Sequence, residues 1–275
     1  MTLLGKSSPS PAEYAPEILY PIPRRIARDS LGLTSLGLTS PGQTEPVPFY
    51  GDDLWHAWEL TWLDAQGLPQ HGVGRFRFAA TTDNLVESKS FKLYLNSLYN
   101  ARFASSAALE ERLVSDLSAL AQGEVVAEVL QLEDESLRPA TLPGRCVDNV
   151  MLEVVPPEPS AEILQLAAEP SNGALYSHGL RSLCPVTSQP DWATVVLTTT
   201  GPTVTDASLR AYVLSYREHQ EYHEQCVERM FRDLLAIGVT DFSVHALYTR
   251  RGGLDISPWR STSPGVGPVL RTLRQ

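Results

Sequence analysis

The sequence predicts an α+β protein in which antiparallel strands and two helices form one plan, used twice along the chain. Two observations carry this. Stretches rich in β-formers come in neighbouring pairs separated by turn clusters, and stretches with apolar residues at helical spacing lie between those pairs. A proline cluster, PPEPS at 156–160, divides the two runs. With 275 residues and 43% hydrophobic content, the chain can bury a sizeable core. Its net charge of -10 argues against general binding to nucleic acid or an anionic membrane. No apolar run is long enough to span a bilayer, and the N-terminal stretch MTLLGKSSPSPAEYAPE has no hydrophobic signal core, so a cytoplasmic location is expected. The three cysteines, Cys146, Cys184 and Cys226, form no CxxC pair, and free thiols are expected with no metal.

Residues 1–52 are rich in Pro, Ser, Thr and Gly and predict an extended arm, ordered where Tyr14, Ile18, Leu19, Tyr20 and Ile22 dock. The first module, 53–156, opens with a strand over Trp55–Leu63, a turn in AQGLPQHG, and a second strand over 74–80, where Arg75-Phe76-Arg77-Phe78 alternates. A helix follows from Ser90, with Ser88 or Ser90 as N-cap. A second helix over 108–122 carries the stripe Leu109, Leu113, Leu117 and Leu120 and ends near Gly123. Strands over 124–132 and 150–155 complete the module. The second module, 157–275, predicts strands over 174–183 and 192–200, then one long helix over 207–237, capped by Thr205 or Asp206 and ended by Gly238. Strands over 242–249 and 254–259, joined by an RRGG turn, close the chain.

Several stretches can carry chemistry. Cys184 sits in a loop bracketed by Pro185 and Pro190, with Asp191 seven positions on. A thiol and a carboxylate on a stiff loop can act as nucleophile and proton donor; a buried structural cysteine beside a capping Asp is the alternative that the loop alone leaves open. Glu87, Ser88 and Lys89 lie at a helix entry, where backbone donors favour an anion, or form a solvated cap. His223 and Glu224 fall mid-helix in YHEQC, with His223 on the apolar stripe, either as a satisfied core histidine or pressed into a cleft. His219 and His223 have i, i+4 spacing, but no third metal ligand is apparent. In YTRRGGLD, Arg250 and Arg251 can clamp a phosphate while Gly252 and Gly253 let the backbone approach, or the segment is a hairpin turn with solvated arginines. A dinucleotide fingerprint is absent, so any nicotinamide cofactor binds outside a Rossmann fold.

Taken together, LGKSSPSPAEYAPEILYPIPR at the N-terminus, ESKSFKLYLNS at 87–97, SLCPVTSQPDWATV around Cys184, YHEQC at 222–226 and YTRRGGLDISPWRS near the end resemble the NADPH-dependent 7-cyano-7-deazaguanine reductases. These are nitrile reductases of queuosine biosynthesis, a tRNA-modification pathway. The likeness runs over most of the chain and suits the long, two-module form of the family.

The resemblance implies a tunnelling fold of two ferredoxin-like β-β-α-α-β-β modules with helices on one face, assembled as a homodimer. It implies that Cys184 attacks the nitrile carbon to form a thioimide and that Asp191 supplies the proton. Glu87 and Glu224 would hold the deazapurine, with Val86, Ser88 and His223 lining the site. Ser88, Lys89, Arg251 and Gly252 would contact NADPH, two of which are consumed per turnover. Because Glu87 belongs to the first half and Cys184 to the second, the site is expected where the modules meet. The place of Cys226, two residues after Glu224, suggests that it pairs reversibly with Cys184 under oxidation. Two other readings fit a related fold: a zinc-dependent pterin-type cyclohydrolase using His178, Cys184 or His223 as ligands, and a catalytically silent purine- or pterin-binding protein.

Overall fold

The computed structural model describes residues 11–35 and 47–275; of the predicted arm, residues 1–10 and 36–46, with the second LGLTS of the near-repeat, lie outside them. Ten strands and five α-helices are present among the described residues: β1 (Pro21–Pro23), α1 (Arg24–Ser30), β2 (Tyr50–Leu63), β3 (Pro69–Ala79), β4 (Asn84–Val86), α2 (Ser88–Ser97), α3 (Ser106–Ala121), β5 (Val125–Leu130), β6 (Arg145–Cys146), β7 (Ser171–Leu183), β8 (Pro190–Gly201), α4 (Asp206–Ser215), α5 (His223–Ala236), β9 (Phe242–Tyr248) and β10 (Leu254–Ser261).

Eight strands form a single sheet in the order β5-β3-β2-β10-β9-β8-β7-β6. Neighbours are antiparallel except β6 and β7, so the two halves are continuous through the β2–β10 ladder, which runs from Leu254 opposite Ala57 to Ser261 opposite Tyr50. Side chains alternate across each strand. Trp55 and Ala57 of β2, Phe76 and Phe78 of β3, and Val125 and Ala127 of β5 share one face, against which α2 and α3 bury Phe91, Leu95, Leu109, Leu113 and Leu117. A second core gathers Val195 and Leu197 of β8, Val244 and Ala246 of β9, and the buried faces of α4 and α5. β2 and β7 each carry a register shift a few residues before their ends, between Ala57 and Leu60 and between Ser177 and Leu180. A shared bulge at matching places supports the repeated plan.

The first half departs from that plan. Residues 150–155 form no strand, and Met151 and Val154 are largely exposed. The β-forming run ML-EVV meets no partner strand there; the two-residue β6 lies just upstream instead and pairs with β7 of the other half. The long helix expected over 207–237 is two helices. Its middle is drawn off by the neighbouring hairpin: the Leu183 N–H donates to the His219 carbonyl (2.8 Å), so 219–222 leaves the helix. This also breaks the i, i+4 relation of His219 and His223. The arm is not simply extended. It contains α1, and β1 pairs with β4, setting Pro21 opposite Val86. Arg24 and Arg28 of α1 are buried in a charge cluster with Asp53, Glu228 and Arg260.

Candidate active site

The Cys184 loop is the β7–β8 hairpin connection. The Cys184 N–H donates to the Gln189 carbonyl and its own carbonyl accepts from the Ser188 N–H, each at 2.9 Å. Ser188 takes a left-handed conformation (φ 54°) to close the loop. Its hydroxyl accepts from Gln220 Nε2 at 3.1 Å, which ties the loop to the segment leading into α5. The thiol is thus carried by backbone fixed on both sides, and Cys184 is 4% exposed.

The other half reaches the same place through α2. Its N-cap is Glu87, not Ser88 or Ser90 as expected: the carboxylate accepts from the Lys89 N–H (3.0 Å) and the Ser90 N–H (2.8 Å). An ionised carboxylate offers about four acceptor sites, so two remain for a ligand. The arm braces this turn. The Glu87 N–H donates to the Tyr20 carbonyl (3.0 Å), and the Tyr20 N–H donates to Ser90 Oγ (3.1 Å).

His223 and Glu224 are not mid-helix. They are the first two residues of α5, after Tyr222, whose N–H donates to Gln225 Oε1 (3.2 Å). Two helix N-termini, those of α2 and α5, therefore open on one cleft of about 400 Å³. Its walls include Val86, Glu87, Ser88, Cys184, Asp191, His223, Glu224 and Arg251, so the cleft gathers both expected catalytic residues and all five expected substrate contacts. Ile22, Trp55, Leu85, Pro185, Tyr222 and Ile256 complete it. A second cleft of about 620 Å³ shares Ser88, Asp191, His223 and Arg251 and extends along Trp192, Thr249 and Arg250. Lys89 and Gly252, expected at the cofactor, line neither. Gly252 lies beside the second cleft, where a Cβ would come within 3.5 Å of Lys92 Cδ. His178 is exposed and away from both clefts, with Nδ1 at 2.8 Å from Thr194 Oγ1.

The charges are arranged around Asp191. His223 Nε2 lies 3.3 Å from one oxygen and Arg251 Nη1 3.0 Å from the other. Burial pushes the carboxyl up, but the His223 hydrogen bond and the His223 and Arg251 charges outweigh it and hold it below its ordinary range. The His223 ring packs on Tyr248 with centroids 3.9 Å apart. Glu224 goes the other way. Burial first and the Asp53 charge second raise its carboxyl to about 7, against the pull of His223 and Arg24. Cys226 sits fully buried in the core of the second half, where burial pushes its thiol well above the usual range. Among the described residues, no group of three His, Cys, Asp or Glu side chains is placed to hold a metal ion.

Sequence reasoning missed the apolar walls. Trp55 and Ile256 read as core strand residues, and nothing in their spacing sets them apart. Tyr222 belongs to the quoted YHEQC stretch, and its place beside His223 was the available signal.

A thiol, a carboxylate held below its ordinary range and two further carboxylates on converging helix ends thus line one cleft. The comparisons supply the class. Residues 10–129 match the family described as nitrile reductase, 7-cyano-7-deazaguanine-reductase N-terminal, and residues 190–264 match the QueF-like protein family. The NADPH-dependent 7-cyano-7-deazaguanine reductase of Saccharophagus degradans is 43% identical over 274 residues, covering 99% of this chain and 98% of that protein. The proteins of the same name from Chromohalobacter salexigens and Coxiella burnetii are each 44% identical, covering 99% and 95% of this chain and 96% and 91% of their own lengths. The chain belongs to the 7-cyano-7-deazaguanine reductase family, and its two-module α+β fold is the one expected for that family.

Proposed function

We propose that the protein reduces the nitrile of 7-cyano-7-deazaguanine to the aminomethyl group with NADPH, through a thioimide on Cys184. The observation that carries this is the joining of Cys184, Asp191, Glu87 and Glu224 in one cleft built from both halves. Ionised Asp191 takes the thiol proton as sulfur bonds to the nitrile carbon. It then delivers that proton to the nitrogen as one C–N π bond becomes the lone pair. The resulting adduct weighs the sum of enzyme and substrate, since nothing leaves. Glu87 and Glu224 accept the N–H donors on the base edge, a bidentate match for carboxylates.

The residues around the β9–β10 turn fit NADPH: Arg250, Arg251 and Lys92 cluster beside two glycines with positive φ, where the backbone can approach a phosphate. Ser88, Lys89, Arg251 and Gly252 would hold it. Two NADPH molecules, bound in turn, would each supply one hydride; with two protons and return of the Cys184 thiol, these would account for the conversion of the thioimide through an imine to the amine. The cleft's apolar walls, Ile22, Trp55 and Ile256, keep water from the carbon–nitrogen double bond.

The test is intact-mass spectrometry of the protein mixed with the nitrile and no NADPH. An added mass equal to the substrate, absent in Cys184→Ala, is expected; turnover by Cys184→Ala would sink the assignment. The same reading includes a homodimer in the cytoplasm. The two terminal strands, β5 and β6, are available to pair with a second copy, and sedimentation would report the mass. It also includes a reversible Cys184–Cys226 disulfide, read as the loss of two hydrogens after mild peroxide.

A further inference from the structure

We infer that Trp58, on the bulge of β2, is a positioning residue for the Arg250–Arg251 hairpin and that the C-terminal segment supports it through Arg271. The inference rests on the assignment of that hairpin to NADPH. The bulge between Ala57 and Leu60 takes Trp58 out of the regular ladder. Its backbone N–H then donates to the Gly253 carbonyl at 2.9 Å, and its ring receives the Arg250 guanidinium, whose carbon lies 3.8 Å from the ring centroid. A second guanidinium, that of Arg271, lies 4.3 Å from the same centroid.

The indole is held at its polar edge. Nε1 donates to Asp255 Oδ2 at 2.6 Å, and the fully buried Asp255 carboxylate also meets His56 Nδ1 (3.0 Å) and Arg271 Nη1 (3.2 Å). Arg271 is itself anchored: its Nε donates to the Leu137 carbonyl (3.1 Å), and its carbonyl accepts from the Ala140 N–H (2.9 Å). The ring is therefore a fixed platform beside a tight turn, which the Arg251 N–H to Leu254 carbonyl (2.9 Å) and Leu254 N–H to Arg251 carbonyl (3.2 Å) hydrogen bonds close. Gly252 and Gly253 both have positive φ (62° and 81°), and glycine permits many other conformations there. The turn sets the backbone, and the Trp58 ring gives the long Arg250 side chain its place. Stacking of Arg250 on Trp58 leaves Arg251 as the cation that lines both clefts and meets Asp191. Trp58 thus decides which arginine faces the chemistry while touching neither substrate nor cofactor.

The readout must separate cofactor placement from general damage. Adduct formation on Cys184 needs no NADPH, so the two can be measured apart. Trp58→Leu is expected to raise the NADPH KM about tenfold, equivalent to ~1.4 kcal/mol and within the range for a partly desolvated cation–π contact. The rate of adduct formation should fall by much less than the KM rises, because His223 still holds Asp191. Trp58→Phe, which keeps a ring face, should recover most of the loss, and Arg271→Met should reproduce part of it. An unchanged NADPH KM in Trp58→Leu overturns the inference, as does a matched loss in KM and adduct rate, or a Phe variant no better than Leu. Arg251→Ala separates the premise: if it leaves the NADPH KM unchanged, the cofactor assignment fails and the inference with it. If it raises the KM while Trp58→Leu does not, the role of Trp58 alone fails.

Discussion

Asp191 and Glu224 are buried carboxylates in one cleft, yet their protons are controlled in opposite directions. His223 and Arg251 keep Asp191 ionised at neutral pH, the state that the proposed deprotonation of the thiol requires. Asp191→Asn removes that acceptor, and adduct formation should slow by about 10²–10⁴-fold in rapid-quench mass measurements. Glu224 has a carboxyl raised to about 7, so it is protonated below that pH and a full acceptor above it. Substrate binding should therefore tighten as pH rises through about 7, seen as a falling KM for the nitrile. Glu224→Gln should bind weakly and lose that pH dependence; a sloping profile in the variant would assign the titration to another group. Cys184 and Asp191 were legible in the sequence as a thiol and a carboxylate on one stiff loop. The direction in which each carboxyl moves was not, because it depends on Arg251, Asp53 and Arg24, which come from distant parts of the chain.

The loop, the helix starts and the arm act as elements whose positions are interlocked. Ser188 closes the Cys184 loop in a left-handed conformation that a β-branched residue disfavours. Ser188→Val should cost about 1–2 kcal/mol in that conformation and slow adduct formation, while Ser188→Gly, which loses the Gln220 contact but not the turn, should do less of both. Urea unfolding with parallel adduct kinetics would check both. Most strands and two helix ends were legible from β-former runs and the caps at Thr205 and Gly238, and α3 from its leucine stripe. The break between α4 and α5 was not. No Pro or Gly marks 216–222 in the sequence; the helix stops because the His219 carbonyl bonds to Leu183 of the neighbouring strand. The same tertiary competition moved His223 and Glu224 from a helix middle to a helix start, which is the placement that lets Glu224 reach the cleft. In 150–155 the error ran the other way: good β-formers found no partner strand, and propensity alone does not make a sheet.

Across the whole molecule, the buried cluster of Arg24, Arg28, Asp53, Glu228 and Arg260 joins the arm, both halves of the sheet and α5. Burial pushes Glu228 up, but Arg28 and Arg260 pull it down to about 2. A carboxyl depressed on folding adds stability that is complete above its unfolded pKa and is lost as pH falls towards the folded value. Thermal unfolding should accordingly drop between about pH 5 and pH 2. Glu228→Gln should flatten that slope while costing about 3–5 kcal/mol at neutral pH, because it leaves buried guanidinium groups uncompensated. The two-module organisation was legible from the repeated order of elements. The charge cluster was not, since RRIARDS shows no apolar stripe, and Arg24 and Arg28 are buried with partners 29 and 200 positions away.

The β2–β10 ladder also bears on how the protein is made. Tyr50 leaves the ribosome long before Ser261, its partner, has been translated. The first half must wait with the inner edge of β2 unpaired, and the sheet closes only when the last strand arrives. Contacts of such long sequence separation form slowly. Cys184 and Glu87 can meet only after that closure, so the cleft they line is completed at the end of synthesis, and a chain released early carries the cysteine without its surroundings.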